Sequence, residues 1–254
     1  MQDIRLPAFA ALLAIAITAT MDYTGYAQFS ALPLFPLIIL FWILARPTMA
    51  EWGLAKGTLQ GYALAVLYPL AVMGPLALIA YFAGDFSTED TNWADVGEEM
   101  ALGIVATFIG AIITEEGFFR GTLWAGFKKA GLSVTKVLLL TSLVFSAWHI
   151  SWAVLPGEGQ LPWGQVPVYL LNAGLLGVAW GLLRVLSGSV LVASLSHGVW
   201  NGLAYSLFGI GANTGALGIT NEILFDTEVG VIATTLNVLF ISLLWMKMKK
   251  AGKI

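Results

Sequence analysis

The sequence contains no cysteine, and only 11% of its residues are charged. The first absence excludes disulfides, thiolate-bound zinc and cysteine nucleophiles. The second says more. Soluble domains carry about 25% charged residues, and a water-facing surface cannot be made from less than half that share. Histidine is scarce too, with two in 254 residues, and the net charge of −3 leaves no basic surface for nucleic acid. Apolar residues are abundant: 58% of the chain is hydrophobic and 12% is aromatic. An ordinary cytosolic enzyme, a disordered chain and a nucleic-acid binder are thereby excluded. A polytopic membrane protein is what such a composition builds.

A helical span needs about 20 mostly apolar residues. Eight such stretches are read along the chain, roughly at 6–24, 31–44, 59–82, 100–127, 137–155, 166–186, 190–208 and 229–246, each bounded by Gly, Pro or charged residues. The second is short, and Pro69 and Pro75 are expected to kink the third. The expected fold is all-α: one integral membrane domain over 1–254, a bundle of about eight transmembrane helices.

Basic residues test the count. In chain order the segments outside the spans hold Arg5, then none, Arg46 and Lys56, none, Arg120 with Lys128, Lys129 and Lys136, none, Arg184, none, and finally Lys247, Lys249, Lys250 and Lys253. Every second segment is free of Lys and Arg. This alternation is the positive-inside pattern, with both termini cytoplasmic. A cleaved leader in place of helix 1 would spoil the parity, so helix 1 is read as a retained anchor. The segment between helices 3 and 4 is acidic, with Asp85, Glu89, Asp90, Asp95, Glu98 and Glu99.

An ionisable residue at membrane depth is costly and marks function by default. Helix 4 carries Glu115, Glu116 and Arg120, helix 5 carries His149, and helix 7 carries His197 and Asn201. Asn172 and Asn237 are read as interhelical hydrogen-bond partners. Glu116 and Arg120 are i and i+4, so they share a helix face with the acid N-terminal to the base. Glu115 is turned by about 100° from Glu116, which leaves one carboxylate free while the other pairs with Arg120. Phe145 and His149 are also i, i+4, as are His197 and Asn201. Three helices can then converge on a pocket with a carboxylate, two imidazoles and an amide.

A carboxylate and a histidine can take a proton from water. A second histidine and an amide can donate to an oxyanion. Together they fit peptide-bond hydrolysis. No GxSxG elbow is present, and Ser146 and Ser196 are minor nucleophile candidates. Glu115, His149 and His197 are also a possible zinc set, although HExxH is absent.

Three motifs then carry a resemblance: Glu115-Glu116-Gly-Phe-Phe-Arg120, Phe145-Ser-Ala-Trp-His149 and His197-Gly-Val-Trp-Asn201. In this order they resemble the CPBP intramembrane protease family, the CAAX proteases and bacteriocin-processing (Abi) enzymes, through EExxxR, FxxxH and HxxxN. The resemblance covers roughly residues 100–208. It implies an all-helical membrane protease with a cavity open to the cytosol. It further implies that Glu115 and His149 activate water, that His197 and Asn201 hold the oxyanion, and that Glu116 and Arg120 shape the site. The family is labelled metalloprotease, while metal-free glutamate catalysis is also argued for it. The implied substrate is a membrane-associated protein or peptide of CAAX or bacteriocin type. The compact chain points to a prokaryotic cytoplasmic membrane. A proton-coupled transporter and a non-catalytic scaffold or immunity protein are the alternatives. A transporter would show inverted repeats with paired broken helices, and none is read here.

Overall fold

A computed structural model describes every residue except 1, 2, 90, 158, 211 and 212. Asp90 of the acidic segment therefore lies outside the described residues. The eight expected helices are all present. They are α1 (Arg5–Tyr23), α2 (Leu34–Ala45), α3 (Leu59–Ala83), α4 (Trp93–Ile113, extended by Gly117–Leu123 and Trp124–Lys129), α5 (Val134–Trp148, extended by Ile150–Val154), α6 (Val166–Ser187), α7 (Val190–Leu203, extended by Ala204–Phe208) and α8 (Val231–Lys250). Extended structure among the described residues is limited to a two-residue antiparallel pair, Gly209–Ile210 with Asn213–Thr214.

Seven of these helices are long and apolar enough to span a membrane by length and composition alone. The eighth, α7, falls short because His197 and Asn201 interrupt its apolar run. Its chemistry-bearing residues dilute the signal that marks a span.

Local chemistry sets the ends. Thr58, Ser133 and Ser189 cap α3, α5 and α7 by accepting from the backbone N–H of Gly61, Lys136 and Leu191. Asn92 caps α4 by accepting from Ala94 N–H. That cap moves the start of α4 to Trp93, so Asp95, Glu98 and Glu99 lie on its opening turns and not in a loop, where acids face the favourable end of the helix dipole. The third helix carries Pro69 and Pro75 as one continuous 25-residue helix.

Two glycine seams bring the site helices together. On α7, a Cβ at Gly198 would stand 2.6 Å from the Ile104 carbonyl oxygen, and one at Gly202 would stand 3.0 Å from the Met100 carbonyl oxygen. On α6, a Cβ at Gly177 would meet Ser142 Cα at 3.0 Å. Small residues four apart let α7 lie against α4 and α6 against α5, the usual device where no hydrophobic force drives helices together. Asn172 and Asn237 act as expected. Asn237 Nδ2 donates to Asn172 Oδ1 at 2.7 Å, and Tyr68 Oη donates to Asn237 Oδ1 at 2.7 Å. These bonds tie α3, α6 and α8.

The bundle has two chemically different ends. One gathers the termini of helices beside Arg5, Arg46, Lys56, Lys128, Lys136, Arg184 and Lys247. The described residues of segments 24–33, 84–92, 155–165 and 209–230 form the other, and these segments contain no Lys or Arg. We call these the basic and the acidic end. At the basic end Lys129 Nζ donates to the carbonyls of Ala45 and Arg46 and pairs with Glu51, clasping α4 to α2. At the acidic end Asp85 accepts from the backbone of Thr220 and Asn221 and from the Thr220 hydroxyl. Partial burial raises the Asp85 pKa, but these three donors outweigh it and hold it below the ordinary carboxylate value.

Candidate active site

The α-helical path of α4 breaks at Thr114 (φ −125°, ψ −101°) and resumes as a wide π-helical segment, Gly117–Leu123. Gly117 is required there. A Cβ would collide with the carbonyl oxygen of Ile112. Such segments commonly mark functional positions in a helix. This one sits directly after the two adjacent carboxylates.

Glu116 and Arg120 are fully buried, and Arg120 Nη1 donates to Glu116 Oε1 at 3.1 Å. His197 Nδ1 reaches the same oxygen at 3.3 Å. One carboxylate oxygen thus couples α4 to α7. The Arg120 guanidinium lies 4.5 Å from the Phe145 ring centroid, 5.5 Å from Trp180 and 5.9 Å from Phe119. Ring faces give a buried cation a favourable surface. His197 stacks on Trp180 with centroids 4.0 Å apart and planes 13° apart. Two contacts therefore fix this imidazole, a carboxylate at Nδ1 and an indole on its face.

Glu115 faces elsewhere, as the 100° rotation predicts. With His149, His197 and Asn201 it lines a chamber of about 320 Å³. His149 Nδ1 is 2.8 Å from the Phe145 carbonyl oxygen. A carbonyl only accepts, so Nδ1 carries the hydrogen and Nε2 presents a lone pair. The sequence-read residues thus divide into two groups. Glu115, His149, His197 and Asn201 share the chamber wall, whereas Glu116 and Arg120 lie behind it, with Glu116 joined to the chamber through His197.

Ser146 and Ser196 do not line the chamber. Ser146 Oγ donates instead to the Leu170 carbonyl at 2.7 Å. Polar residues that the motifs do not include are also on the wall, among them Tyr169, Tyr205 and Glu228. Tyr205 Oη donates to Glu228 Oε1 at 3.3 Å. The loop is shaped by Asp226 Oδ1, which accepts from the backbone N–H of Glu228 and Val229 at 2.6 and 2.7 Å. Burial, with Asp226 nearby, pushes the Glu228 carboxyl up to about 7. The only sequence signal for it is that it is one of three acids in a segment without bases, 209–230, and nothing separates it from an ordinary solvated carboxylate.

The zinc alternative meets a geometric obstacle. Among the described residues no three His, Asp or Glu side chains come together closely enough to hold a metal ion. The donor set drawn from the sequence does not fit zinc in this arrangement.

Residues 97–203 match the family model described as type II CAAX prenyl endopeptidase, Rce1-like. This segment is similar to that family. It contains all six motif residues, from Glu115 to Asn201. It also holds both glycine seams that seat its helices against each other. Tyr205 and Glu228 lie beyond it, so the matched segment does not close its own chamber. No curated protein and no solved structure matches the chain.

Proposed function

We propose that this chain is an intramembrane endopeptidase that hydrolyses a peptide bond of a membrane-associated protein or peptide with a water activated at Glu115 and His149. The Rce1-like match supports the endopeptidase class. The observation that carries the mechanism is the convergence of Glu115, His149, His197 and Asn201 on one chamber within a membrane bundle.

The chemistry follows from the proton positions. Glu115 and the bare Nε2 of His149 provide two acceptors for a water proton. The hydroxide equivalent attacks the carbonyl carbon, and the carbonyl electron pair becomes an oxyanion. The Asn201 amide donates to that oxyanion. His197, with Nδ1 turned to Glu116, donates from Nε2 when doubly protonated, and the Glu116 carboxylate supplies the counter-charge. Collapse of the intermediate breaks the C–N bond, and the proton held by His149 and Glu115 passes to the leaving amine. Glu116 and Arg120 act as positioning residues. No acyl-enzyme forms and no step passes through a metal.

The substrate reading draws on the wall. Trp148, Trp152 and Tyr169 give it aromatic faces, which suit an apolar segment near a C-terminus or inside the bilayer, of CAAX or bacteriocin type. The basic end is read as cytoplasmic, which puts both termini there, in a prokaryotic cytoplasmic membrane. The test is cleavage of quenched peptide libraries by purified protein, with Glu115→Gln as matched control. Equal turnover by the variant overturns the assignment of Glu115.

A further inference from the structure

The resemblance implies a cavity open to the cytosol, and the basic residues imply a cytosolic basic end. The chamber fits only one of these. Its outer wall is built from the ends of helices and loops that carry no Lys or Arg: Thr18 near the end of α1, Gln28 in the following connection, Trp152 at the end of α5, Tyr205 at the end of α7 and Glu228 before α8. Gln28 is exposed, so the chamber opens to the surface of the bundle there. A second cavity at the same end, about 830 Å³ and lined by Ser87, Asn92 and Thr214 among others, also reaches Asn201 and Tyr205. Both openings to the site lie on the acidic side.

The opposite direction is closed. Between the chamber and the basic end stand Phe119, Arg120, Phe145, Trp180 and Leu138, all buried. Beneath them Trp52 is pressed against Gly121, with its Nε1 donating to Thr122 Oγ1 at 3.0 Å. A peptide arriving from the basic end meets a packed plug with a buried ion pair inside it.

We propose that the chamber is loaded from the face opposite the cytoplasm. This deepens the endopeptidase reading and rests on it. It also narrows the substrate class. The scissile bond must be exposed on the non-cytoplasmic face, so a translocation step supplies the substrate: a peptide or protein segment exported across, or threaded into, the membrane before it is cut. A C-terminus modified and retained in the cytosol is on the wrong side.

The experiment uses the full chain expressed in a bacterial inner membrane. A charged quenched peptide, selected for cleavage by the detergent-solubilised protein, is added to intact spheroplasts and to sealed inverted vesicles. Such a peptide does not cross the bilayer. Cleavage about tenfold or more faster by spheroplasts supports the proposal, and permeabilising the inverted vesicles restores their activity. Cleavage by sealed inverted vesicles and not by spheroplasts overturns it. The chain has no native cysteine, so Gln28→Cys and Lys250→Cys report sidedness without activity. An impermeant maleimide should label the first on intact spheroplasts and the second only after lysis; the reverse pattern overturns the proposal. If the solubilised protein cleaves no peptide, the endopeptidase reading fails, and the labelling still decides the side of access.

Discussion

Glu115 and Glu116 are neighbours in sequence but belong to different regions. On the basic side, Glu116 sits in a packed layer with two partners on one oxygen and rings around its arginine. On the acidic side, Glu115 faces a chamber with polar groups from several helices and loops. The packed layer is built to hold a geometry, whereas the chamber is built to admit something. The difference shows how a membrane protein places reactive groups in an apolar medium. It surrounds one set with permanent partners and thereby fixes the orientation of a second set left open.

Substitutions can break this division in order of expected effect. Glu115→Gln keeps shape and removes the base. Turnover should fall about 10²–10⁴-fold with the melting temperature unchanged, read by peptide cleavage and a thermal-shift assay. A melting temperature that falls with activity would move Glu115 into the packed layer. Arg120→Ala should do the reverse. Leaving Glu116 buried without its arginine costs about 3–5 kcal/mol, seen as loss of folded protein in detergent. The double change Glu116→Leu with Arg120→Met should regain stability and not activity, because His197 is then unanchored.

Asn201→Ala tests the chamber at its edge. An oxyanion donor contributes about 10²–10³ in kcat, so kcat should fall while KM stays close to its original value. A rise in KM alone would make Asn201 a substrate-binding residue. The smallest effect concerns Glu228. Its carboxyl is raised from the ordinary 4.5 to about 7, beside Asp226, Tyr205, His197 and Glu115. The folded state therefore holds a proton that the unfolded state has lost across that window. Stability should decline as pH rises from about 4.5 to about 7 and then level off, by less than about 1.4 kcal/mol per pH unit. Glu228→Gln should flatten this part of the melting-temperature profile.

Much of this was legible in the sequence, for identifiable reasons. Charge parity and apolar run length gave eight helices, because bilayer thickness and the cost of buried cations act on the linear chain. The i, i+4 spacings placed Arg120 over Glu116 and put His197 and Asn201 on one face. The separation of Glu115 from Glu116 was likewise a matter of helical angle. What escaped has no linear period. The π segment at Gly117–Leu123 depends on a glycine that admits Ile112's carbonyl, and many glycines lie in these helices. Trp180 reads as one more apolar residue until His197 is found stacked on it. Glu228 is distant from every motif and reaches the wall through a loop turn held by Asp226. The side on which the chamber opens required both the charge count and the packing, and neither alone gives it.

The stack of Trp180 on His197 also makes the site readable by light. At 4.0 Å and nearly parallel, the indole is in electronic contact with the imidazole, and a protonated imidazole quenches excited indole by accepting its electron. The other nine tryptophans add a background, which His197→Gln subtracts. The difference in emission between the two proteins, followed after substrate mixing, becomes a record of events at His197 during turnover.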